Sequence, residues 1–381
     1  MKLDAIIEGT NAHYCLECGI CTGSCPISRI YPQYSPRLFV EKSLLISEEE
    51  LIEDNDLWTC LTCGACSKRC PSLVDYQDFM RQTRNLAIEI ENRGICTHAG
   101  TIQAVASLQK NDFVQKDLSW ITDDLKIRET GELLFFVGCS PYFNVIFNDI
   151  GADSLTATKS SIRILNMLGV EPAVRPDERC CGHDAYWTGE LETFKQLAQK
   201  NLEMIQKSGA KKVIFSCAEG YTTLKTIYPK FFGKLKFEVQ HVSQFIAEKV
   251  ETGELKFKEV SEKVTYHDPC RLGRFENEYE APRKVMQAIP GLELVEMPRN
   301  RENSLCCGSS TWINCTQINK KIQVEKLKEA QSTGAPTMVT ACPKCKIHLT
   351  CTMHDNGFHF DVKIKDLTTL VAEAIQDNSK T

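Results

Sequence analysis

Two runs of cysteines near the N-terminus constrain this chain more than any other feature of its sequence. Residues 15–26 read CLECGICTGSCP and residues 60–71 read CLTCGACSKRCP, so the spacing C-x2-C-x2-C-x3-C-P occurs twice. In such runs three cysteines close on one [4Fe-4S] cluster, and the fourth, before the proline, ligates the other cluster. We therefore predict two cubane clusters. The ligands are Cys15, Cys18, Cys21 and Cys70 for the first and Cys60, Cys63, Cys66 and Cys25 for the second.

The segment between the two runs is expected to be helical. Its apolar residues recur at helical intervals, and Ser47 precedes a glutamate-rich turn as an N-cap residue would. Gly19, Gly23 and Gly64 are expected to let backbone amides approach the sulfurs. Two zinc sites are the alternative, but zinc sites use paired C-x2-C or mixed Cys/His sets. The N-terminal third is thus predicted to be an α-helical two-cluster module.

The total of 20 cysteines also favours metal binding. The N-terminus shows no secretion signal, and thiols are kept reduced in the cytosol, so disulfides are the weaker interpretation. The chain has 50 acidic and 45 basic residues, which argues against nucleic-acid binding. No apolar stretch approaches the roughly 20 residues that span a bilayer. We therefore expect a cytoplasmic protein that reaches a membrane only through a partner.

The last two thirds of the chain contain an internal repeat. ELLFFVGC, RCCG and SGAKKVIFSCAEG in the first copy correspond to KVTYHDPC, LCCG and TGAPTMVTACPKC in the second, at offsets of 131, 126 and 125 residues. This indicates a tandem duplication. The landmark cysteines are Cys139, Cys180, Cys181 and Cys217 in the first copy and Cys270, Cys306, Cys307, Cys342 and Cys345 in the second.

Each copy alternates short strand-like runs with helix-like stretches. In the first copy, residues 194–205 place apolar side chains on one helical face, and Ser208 and Gly209 are expected to end that helix. The alternation predicts an α/β unit, in which ligands lie beyond the carboxyl ends of parallel strands. The cysteines expected at strand ends are Cys139, Cys217, Cys270 and Cys342. A buried core thiol is the alternative for any one of them.

These motifs resemble the CCG domains of the heterodisulfide reductase family, whose catalytic subunits carry the cysteine pattern of the second copy in duplicate. The run CLECGICTGSCP is similar to the small ferredoxin-like subunit of that enzyme. Both parts in one chain resemble its fused D-type subunit. Related chains serve as iron–sulfur subunits of glycolate, lactate and glycerol-3-phosphate oxidoreductases. The resemblance leaves only residues 97–130 unassigned.

The second copy follows the family pattern closely, with 35 residues between Cys270 and Cys306 and 34 between Cys307 and Cys342. The resemblance implies that its cysteines hold a noncubane [4Fe-4S] cluster that forms the catalytic site. An iron of such an opened cluster is expected to bind a substrate sulfur. The implied ligands are Cys270, Cys306, Cys307, Cys342 and Cys345.

The first copy departs from the pattern, because CAEG stands where the second copy has CPKC and Gly220 replaces the last cysteine. Three outcomes stay open for the remaining set. It holds a further cluster, it holds zinc with His183 as a supplementary ligand, or it has lost its metal. The set consists of Cys139, Cys180, Cys181 and Cys217.

Charged residues beside Cys270 have two interpretations each. His267 and Asp268 would orient the turn or donate a proton to a leaving thiolate, and we favour the structural role. Arg271 and Arg274 would bind an anionic substrate group or project into solvent. Three cysteines outside the motifs are expected to be small buried thiols: Cys96, Cys315 and Cys351.

The predicted fold class is α+β. An α-helical ferredoxin-like domain occupies residues 1–96 and a helical linker residues 97–130. A degenerate first CCG domain follows at 131–255 and an intact second CCG domain at 256–381.

The predicted function is an iron–sulfur oxidoreductase subunit that passes electrons through the two cubanes to the noncubane cluster, where a disulfide is reduced. The alternative is an electron-transfer subunit of a larger flavin- or quinone-linked complex without disulfide chemistry. The sequence shows no GxGxxG flavin fingerprint after a strand. Expected partners are therefore a flavoprotein subunit and a membrane cytochrome or quinone-reactive subunit.

Overall fold

The chain folds into two compact units that do not follow the order of the sequence. In the computed structural model, residues 2–355, 357 and 359–376 are described. The first unit consists of Met1–Leu108, Gly182–Lys195 and Leu305–Glu325, and the second of Gln109–Cys181, Gln196–Ser304 and Lys326–Thr381. The segment after each adjacent cysteine pair thus belongs to the unit that contains the N-terminal cysteine runs. The four domains and the boundaries that the sequence predicts for them remain a prediction.

The N-terminal third is helical, as predicted. Its α-helices are α1 (Leu3–Gly9), α2 (Ile20–Ser24), α3 (Pro26–Ile30), α4 (Pro36–Leu45), α5 (Glu48–Ile52), α6 (Tyr76–Glu89) and α7 (Thr101–Leu108). Ser47 caps α5 in a capping box with Glu50, which confirms its expected role. Ile6, Leu51 and Phe79 are fully buried in the core that these helices share.

The first copy of the repeat contains a three-stranded parallel sheet in the order β1-β2-β3. Its elements are β1 (Leu133–Phe136), α8 (Ser140–Ile146), α9 (Leu155–Met167), α10 (His183–Thr188), α11 (Leu191–Ser208), β2 (Lys212–Phe215), α12 (Ala218–Thr222), α13 (Tyr228–Phe232), β3 (Glu238–His241) and α14 (Val242–Glu251). Helix α11 ends at Ser208, and Gly209 follows with φ +75°, as predicted.

The second copy contains a four-stranded parallel sheet in the order β5-β4-β6-β7. Its elements are β4 (Glu262–His267), α15 (Glu280–Gln287), β5 (Leu292–Leu294), α16 (Gln317–Gln331), β6 (Thr337–Thr340), α17 (Pro343–Met353), β7 (Lys363–Asp366) and α18 (Leu367–Ala374). A π-helical turn, Arg271–Phe275, follows Cys270 directly.

The two sheets share one topology, which supports the duplication inferred from the sequence. The order β1-β2-β3 corresponds to β4-β6-β7, and the counterpart of β5 in the first copy is reduced to a parallel bridge between Leu134 and Ala173. The last strand of each copy ends at a buried N-cap residue, His241 or Asp366. The predicted fold class, a helical module followed by α/β units, is confirmed.

None of the helices among the described residues combines the length and apolarity needed to cross a bilayer.

Substituting Gly189 tests how closely the segment after the first cysteine pair packs on α6. Gly189 has φ +89°, and a Cβ there would lie 2.5 Å from the Asn85 nitrogen. We expect Gly189→Ala to cost about 2–4 kcal/mol of folding free energy, through backbone strain and overpacking. Thermal unfolding followed by circular dichroism measures the effect.

Gly100→Ala is the matched control. Gly100 lies in the same unit with φ +75°, but its Cβ would meet only the Cβ of Cys96, at 3.7 Å. Backbone strain alone should cost roughly 1–2 kcal/mol there. Equal losses in the two variants would contradict the close packing of Gly189 on α6.

Candidate metal centres

The structure brings together the cysteines assigned to the second cubane. Cys25 lies between α2 and α3, and its three expected partners lie in the loop between α5 and α6. All four border one small cavity, together with buried aromatic and aliphatic side chains. The four are Cys25, Cys60, Cys63 and Cys66.

The chemistry of this donor set fits an iron–sulfur cluster. Burial raises the pKa of Cys25 to about 12 and raises the pKa of Cys66 well above its ordinary value. Thiols in this environment keep their protons unless a cation replaces them, and metal binding releases such protons. The site therefore suits an iron–sulfur cluster. The cysteines would bind its irons as thiolates, and the cluster would supply one-electron transfer.

The first cubane set lies nearer the surface. Cys18 is exposed, whereas Cys15, Cys21 and Cys70 are partly buried. Burial raises the pKa of Cys21, and the neighbouring sulfurs of Cys15 and Cys70 raise it further, which places these three close together.

The two cysteine runs have similar φ values at corresponding glycines. Gly19 and Gly64, which follow the second cysteine of each run, adopt φ +77° and +73°, whereas Gly23 is not among the glycines with positive φ. In the second run, the Thr62 N–H donates to the Cys60 sulfur at 3.3 Å. The expected approach of amides to sulfur at Gly19, Gly23 and Gly64 remains a prediction.

The second cubane set contacts both segments that follow the adjacent cysteine pairs, all within the first unit. The buried Arg84 guanidinium donates to the carbonyl oxygens of Cys60, at 2.8 Å, and Trp187, at 3.1 Å. The Thr62 hydroxyl lies 3.2 Å from that of Ser310, three residues after Cys307.

In the second unit, the four cysteines of the first copy converge. The Cys139 and Cys180 sulfurs are 3.7 Å apart. The pKa of Cys181 is raised well above its ordinary value by a hydrogen bond with Cys180 and by burial, and the sulfurs of Cys139 and Cys217 contribute. The arrangement is a dense, buried set of thiols that suits a cation.

A buried ion pair supports the loops that carry these cysteines. The Glu178 carboxylate accepts the N–H groups of Val137 and Gly138, at 2.9 and 2.8 Å, and it pairs with Lys116. Glu178 thereby ties the segment before Cys180 to the end of β1, which precedes Cys139.

Gly220 faces this set of thiols. A Cβ at Gly220 would lie 3.9 Å from the Cys181 sulfur and 3.0 Å from Cδ1 of Phe215. The position that the sequence identified as the missing cysteine therefore does point at the first site.

The two copies meet at equivalent residues within the second unit. A hydrogen bond with Cys342 is the largest cause of the raised pKa of Cys217, followed by burial. Glu219 stands two residues after Cys217, and Lys344 stands two residues after Cys342. The Lys344 ammonium lies 3.0 Å from the Glu219 carboxylate. The two cysteine sets thus adjoin at Cys217 and Cys342.

The five cysteines of the second copy are divided between the units. Cys306 and Cys307 belong to the first unit, and Cys270, Cys342 and Cys345 belong to the second. Their joint role as cluster ligands therefore remains a prediction, as do the ligand assignments of the cubanes.

Charged residues near Cys270 serve the local structure. Asp268 accepts two hydrogen bonds from the Arg283 guanidinium, at 2.7 and 3.0 Å. Arg274 donates to the Ser304 carbonyl at 2.7 Å, and the Arg271 guanidinium lies over the Phe275 ring. The alternative in which the two arginines project into solvent is wrong, because Arg271 and Arg274 are only 2% and 4% exposed.

Two further expectations from the sequence concern residues outside the main sets. Cys96 and Cys315 are exposed, and Cys351 is partly buried, so the expectation of small buried thiols is wrong for the first two. The His183 ring lies 3.0 Å from the Asp184 carboxylate in the first unit, and its supplementary metal role remains a prediction.

Several residues beside the sites were missed by sequence reasoning. Arg84, Glu178, Lys116 and the tyrosines of the second cubane cavity lie outside every cysteine motif. No spacing rule identifies them, because their contacts join residues far apart in the chain.

Comparison with protein families supports both parts of the sequence interpretation. A model described as a 4Fe-4S dicluster domain matches residues 11–74. A model described as a cysteine-rich domain matches residues 133–225 and again 264–350.

Curated relatives are iron–sulfur oxidoreductase subunits. The D-type subunit of the dihydromethanophenazine:CoB–CoM heterodisulfide reductase of Methanosarcina barkeri is 35% identical over 270 residues, which are 68% of this chain and 63% of the relative. The B-type subunit of the CoM/CoB fumarate reductase of Methanothermobacter marburgensis is 30% identical over 64% of this chain and 46% of its own length. The EtfAB:quinone oxidoreductase of Syntrophomonas wolfei is 32% identical over 56% of this chain and 30% of its own length.

A solved structure shares the fold. A hypothetical protein from Helicobacter pylori aligns over 100% of this chain and 78% of its own, with a TM-score of 0.61 at 9% identity. The chain spans 63% of the length of the heterodisulfide reductase relative.

The crossed ligation of the cubanes can be tested with single serine variants. Cys25→Ser and Cys63→Ser should each remove the second cubane, which lowers the iron content by about four per chain. The reduced variants should then give the same electron paramagnetic resonance spectrum, distinct from that of Cys18→Ser.

Cys96→Ser is the control, since Cys96 is exposed and outside the motifs, and it should retain all the iron. If Cys25→Ser instead gave the spectrum of Cys18→Ser, each run would ligate its own cluster.

Proposed function

This chain belongs to the family of the D-type heterodisulfide reductase subunits, and from that membership we propose that it carries electrons from a redox partner to a disulfide substrate at the second CCG site. It is an iron–sulfur oxidoreductase subunit with a dicluster domain and a duplicated cysteine-rich domain. The proposal adds three points: a disulfide as the substrate class, electron flow toward that disulfide, and the cysteines of the second copy as the cluster ligands.

The observation that carries the proposal is the contact between the second cubane loop and the loop of the second cysteine pair. Thr62 lies between Cys60 and Cys63, and its hydroxyl is 3.2 Å from that of Ser310. Both residues are buried, so no water layer separates the two loops at this point. A short path through protein supports electron transfer from the second cubane set toward Cys307.

The surroundings of the first cubane set support electron entry there. Cys18 is exposed, and Tyr14, Leu16 and Leu73, which stand within three residues of cysteines of this set in the sequence, are 61%, 70% and 73% exposed. Exposed apolar side chains favour contact with another protein. We infer that a redox partner, such as a flavoprotein subunit or a cytochrome, docks there.

The competing function is electron transfer within a larger complex without disulfide chemistry. Two relatives favour it, since their names describe a fumarate reductase subunit and a quinone oxidoreductase. The two functions differ in what they require of the second CCG site. A disulfide reductase needs Cys307 for turnover, whereas transfer from the cubanes to a partner does not.

A Cys307→Ser variant separates the two functions. With a reduced viologen as donor, we expect the wild-type chain to reduce either the CoM–CoB heterodisulfide or a simpler disulfide, and the variant to fall to background. The cubane signals should be unchanged in the variant, because Cys307 is not among their assigned ligands.

Cys315→Ser provides the control, as an exposed cysteine in the same segment that should keep full activity. Full disulfide reduction by Cys307→Ser would refute the disulfide reductase proposal. Reduction of a quinone analogue without reduction of any disulfide would favour the competing function, electron transfer within a larger complex.

For the first CCG site, we propose a single zinc ion. Two thiolates on one tetrahedral zinc are separated by about 3.8 Å, given Zn–S bonds of about 2.3 Å. The Cys139 and Cys180 thiols are hydrogen bonded at 3.7 Å, so both could bind one zinc with little movement. The four cysteines also match the closed ligand number of structural zinc sites.

Metal analysis tests this assignment. We expect about one zinc per chain, lost in Cys180→Ser and retained in Cys307→Ser. Iron should total about twelve, from two cubanes and one CCG cluster. About sixteen irons without zinc would show a cluster at the first site instead.

A further inference from the structure

We propose that three buried side chains are positioning residues, which hold the adjacent cysteines Cys180 and Cys181 in their metal-binding conformation whether or not a metal is bound. The three are Gln109, Asn201 and Tyr228, and together they form what we call the cradle. The inference deepens the proposed zinc site and rests on that proposal for the identity of the metal. None of the three residues belongs to a cysteine motif.

Asn201 binds the backbone of the pair with its whole amide group. Its Oδ1 atom accepts the Arg179 N–H at 2.8 Å, and its Nδ2 atom donates to the Cys180 carbonyl at 3.0 Å and to the Tyr228 hydroxyl at 3.3 Å. An amide side chain has one acceptor oxygen and two N–H donors, so a single orientation of the Asn201 amide makes all three bonds. Asn201 lies on α11 and is fully buried.

The other two side chains of the cradle bind further polar groups of the pair. The Oε1 atom of Gln109 accepts the Cys180 N–H at 2.7 Å, and the Tyr228 hydroxyl donates to the Cys181 carbonyl at 3.0 Å. A tyrosine hydroxyl donates one proton and also accepts, so Tyr228 binds Asn201 and Cys181 at the same time. Side chains far apart in the chain thus converge on two adjacent residues.

These bonds fix a segment that lies outside regular secondary structure. Residues 178–182 belong to neither a helix nor a strand, so side chains bind the peptide groups that a helix or a sheet would otherwise satisfy. The Cys180 sulfur is held 3.7 Å from the Cys139 sulfur in this conformation. A backbone that is already ordered loses little conformational entropy when its ligands bind a metal. The cradle therefore favours metal binding by preorganisation.

The cradle is a property of the first copy of the repeat. At the repeat offset of 126 residues Asn201 corresponds to Leu327, and at the offset of 125 residues Tyr228 corresponds to Met353. Leucine and methionine side chains donate no hydrogen bond, so the copy with five cysteines lacks these two donors. A fixed cysteine pair suits a closed structural zinc site, because such a site keeps the same four ligands throughout.

Hydrogen exchange tests whether the pair is held without a metal. Cys180→Ser should bind no zinc at the first site, but the backbone groups of residue 180 remain available to the cradle. We expect the amides of residues 178–183 to exchange within about threefold of their rates in the zinc-loaded wild-type chain, as measured by mass spectrometry. Exchange at the rate of an open loop would overturn the proposal, because the metal would then order the pair.

Tyr228→Phe tests the positioning role, because it removes the hydroxyl and keeps the buried ring. We expect this variant to bind about one zinc and to release it to a chromogenic chelator roughly tenfold faster than the wild-type chain, since loss of an outer partner weakens metal binding. Asn201→Leu, which introduces the residue of the second copy, should release zinc faster still. The absorption spectra of the cobalt-substituted variants should stay unchanged, because no ligand is altered.

Tyr266→Phe is the matched control for the loss of a buried hydroxyl. Tyr266 lies in the same unit, and its hydroxyl has no hydrogen-bond partner among the described residues, so zinc release should be unchanged. Wild-type rates of zinc release in both Tyr228→Phe and Asn201→Leu would overturn the positioning role. A wild-type chain without zinc would refute the zinc assignment, whereas the exchange measurement would still decide whether the cradle holds the pair.

Discussion

The buried guanidinium of Arg84 joins three separate stretches of the first unit. It donates to the carbonyl oxygens of Leu57, Cys60 and Trp187. A buried charge is costly unless its N–H groups are hydrogen bonded, so these carbonyls have to be held in place around it. Leu57 precedes the second cysteine run, Cys60 is the first cysteine of that run, and Trp187 lies in the segment after the first cysteine pair. The arrangement of the cubane loop therefore depends on this side chain of α6.

The second unit depends on a contact between equivalent residues of the two copies. Glu219 and Lys344 occupy the same position in the repeat, as do Cys217 and Cys342. Identical residues meet at the axis when two identical copies pair, and two like charges in such close contact would repel each other. The two positions carry opposite charges 3.0 Å apart, so the contact is an ion pair. The duplication thus persists as a packed pair whose halves are no longer interchangeable.

Local patterns in the sequence predicted much of this structure. Cysteine spacing anticipated which cysteines share the second cavity, and periodicity with a following glycine located the end of α11. Long-range contacts left no such pattern. Tyr34 and Tyr76 meet across 42 residues, and the segments after the cysteine pairs join the first unit through packing against α6 and the N-terminal runs. The exposure of Cys96 also escaped prediction, as did its backbone bridge to Ile313, far along the chain.

The difference between the two CCG sites extends beyond the missing cysteine. At the ends of the central strands, the first copy places Phe136 opposite Phe215, with the rings stacked 4.7 Å apart, and the second copy places His267 opposite Thr340. A Cβ at Gly220 would lie 3.0 Å from Cδ1 of Phe215, so a fifth cysteine in the first copy would require the Phe215 ring to shift slightly. The smaller Thr340 occupies the matching position in the copy that has Cys345. The two copies therefore differ at two neighbouring core positions, the residue that is Gly220 or Cys345 and the side chain beside it, Phe215 or Thr340.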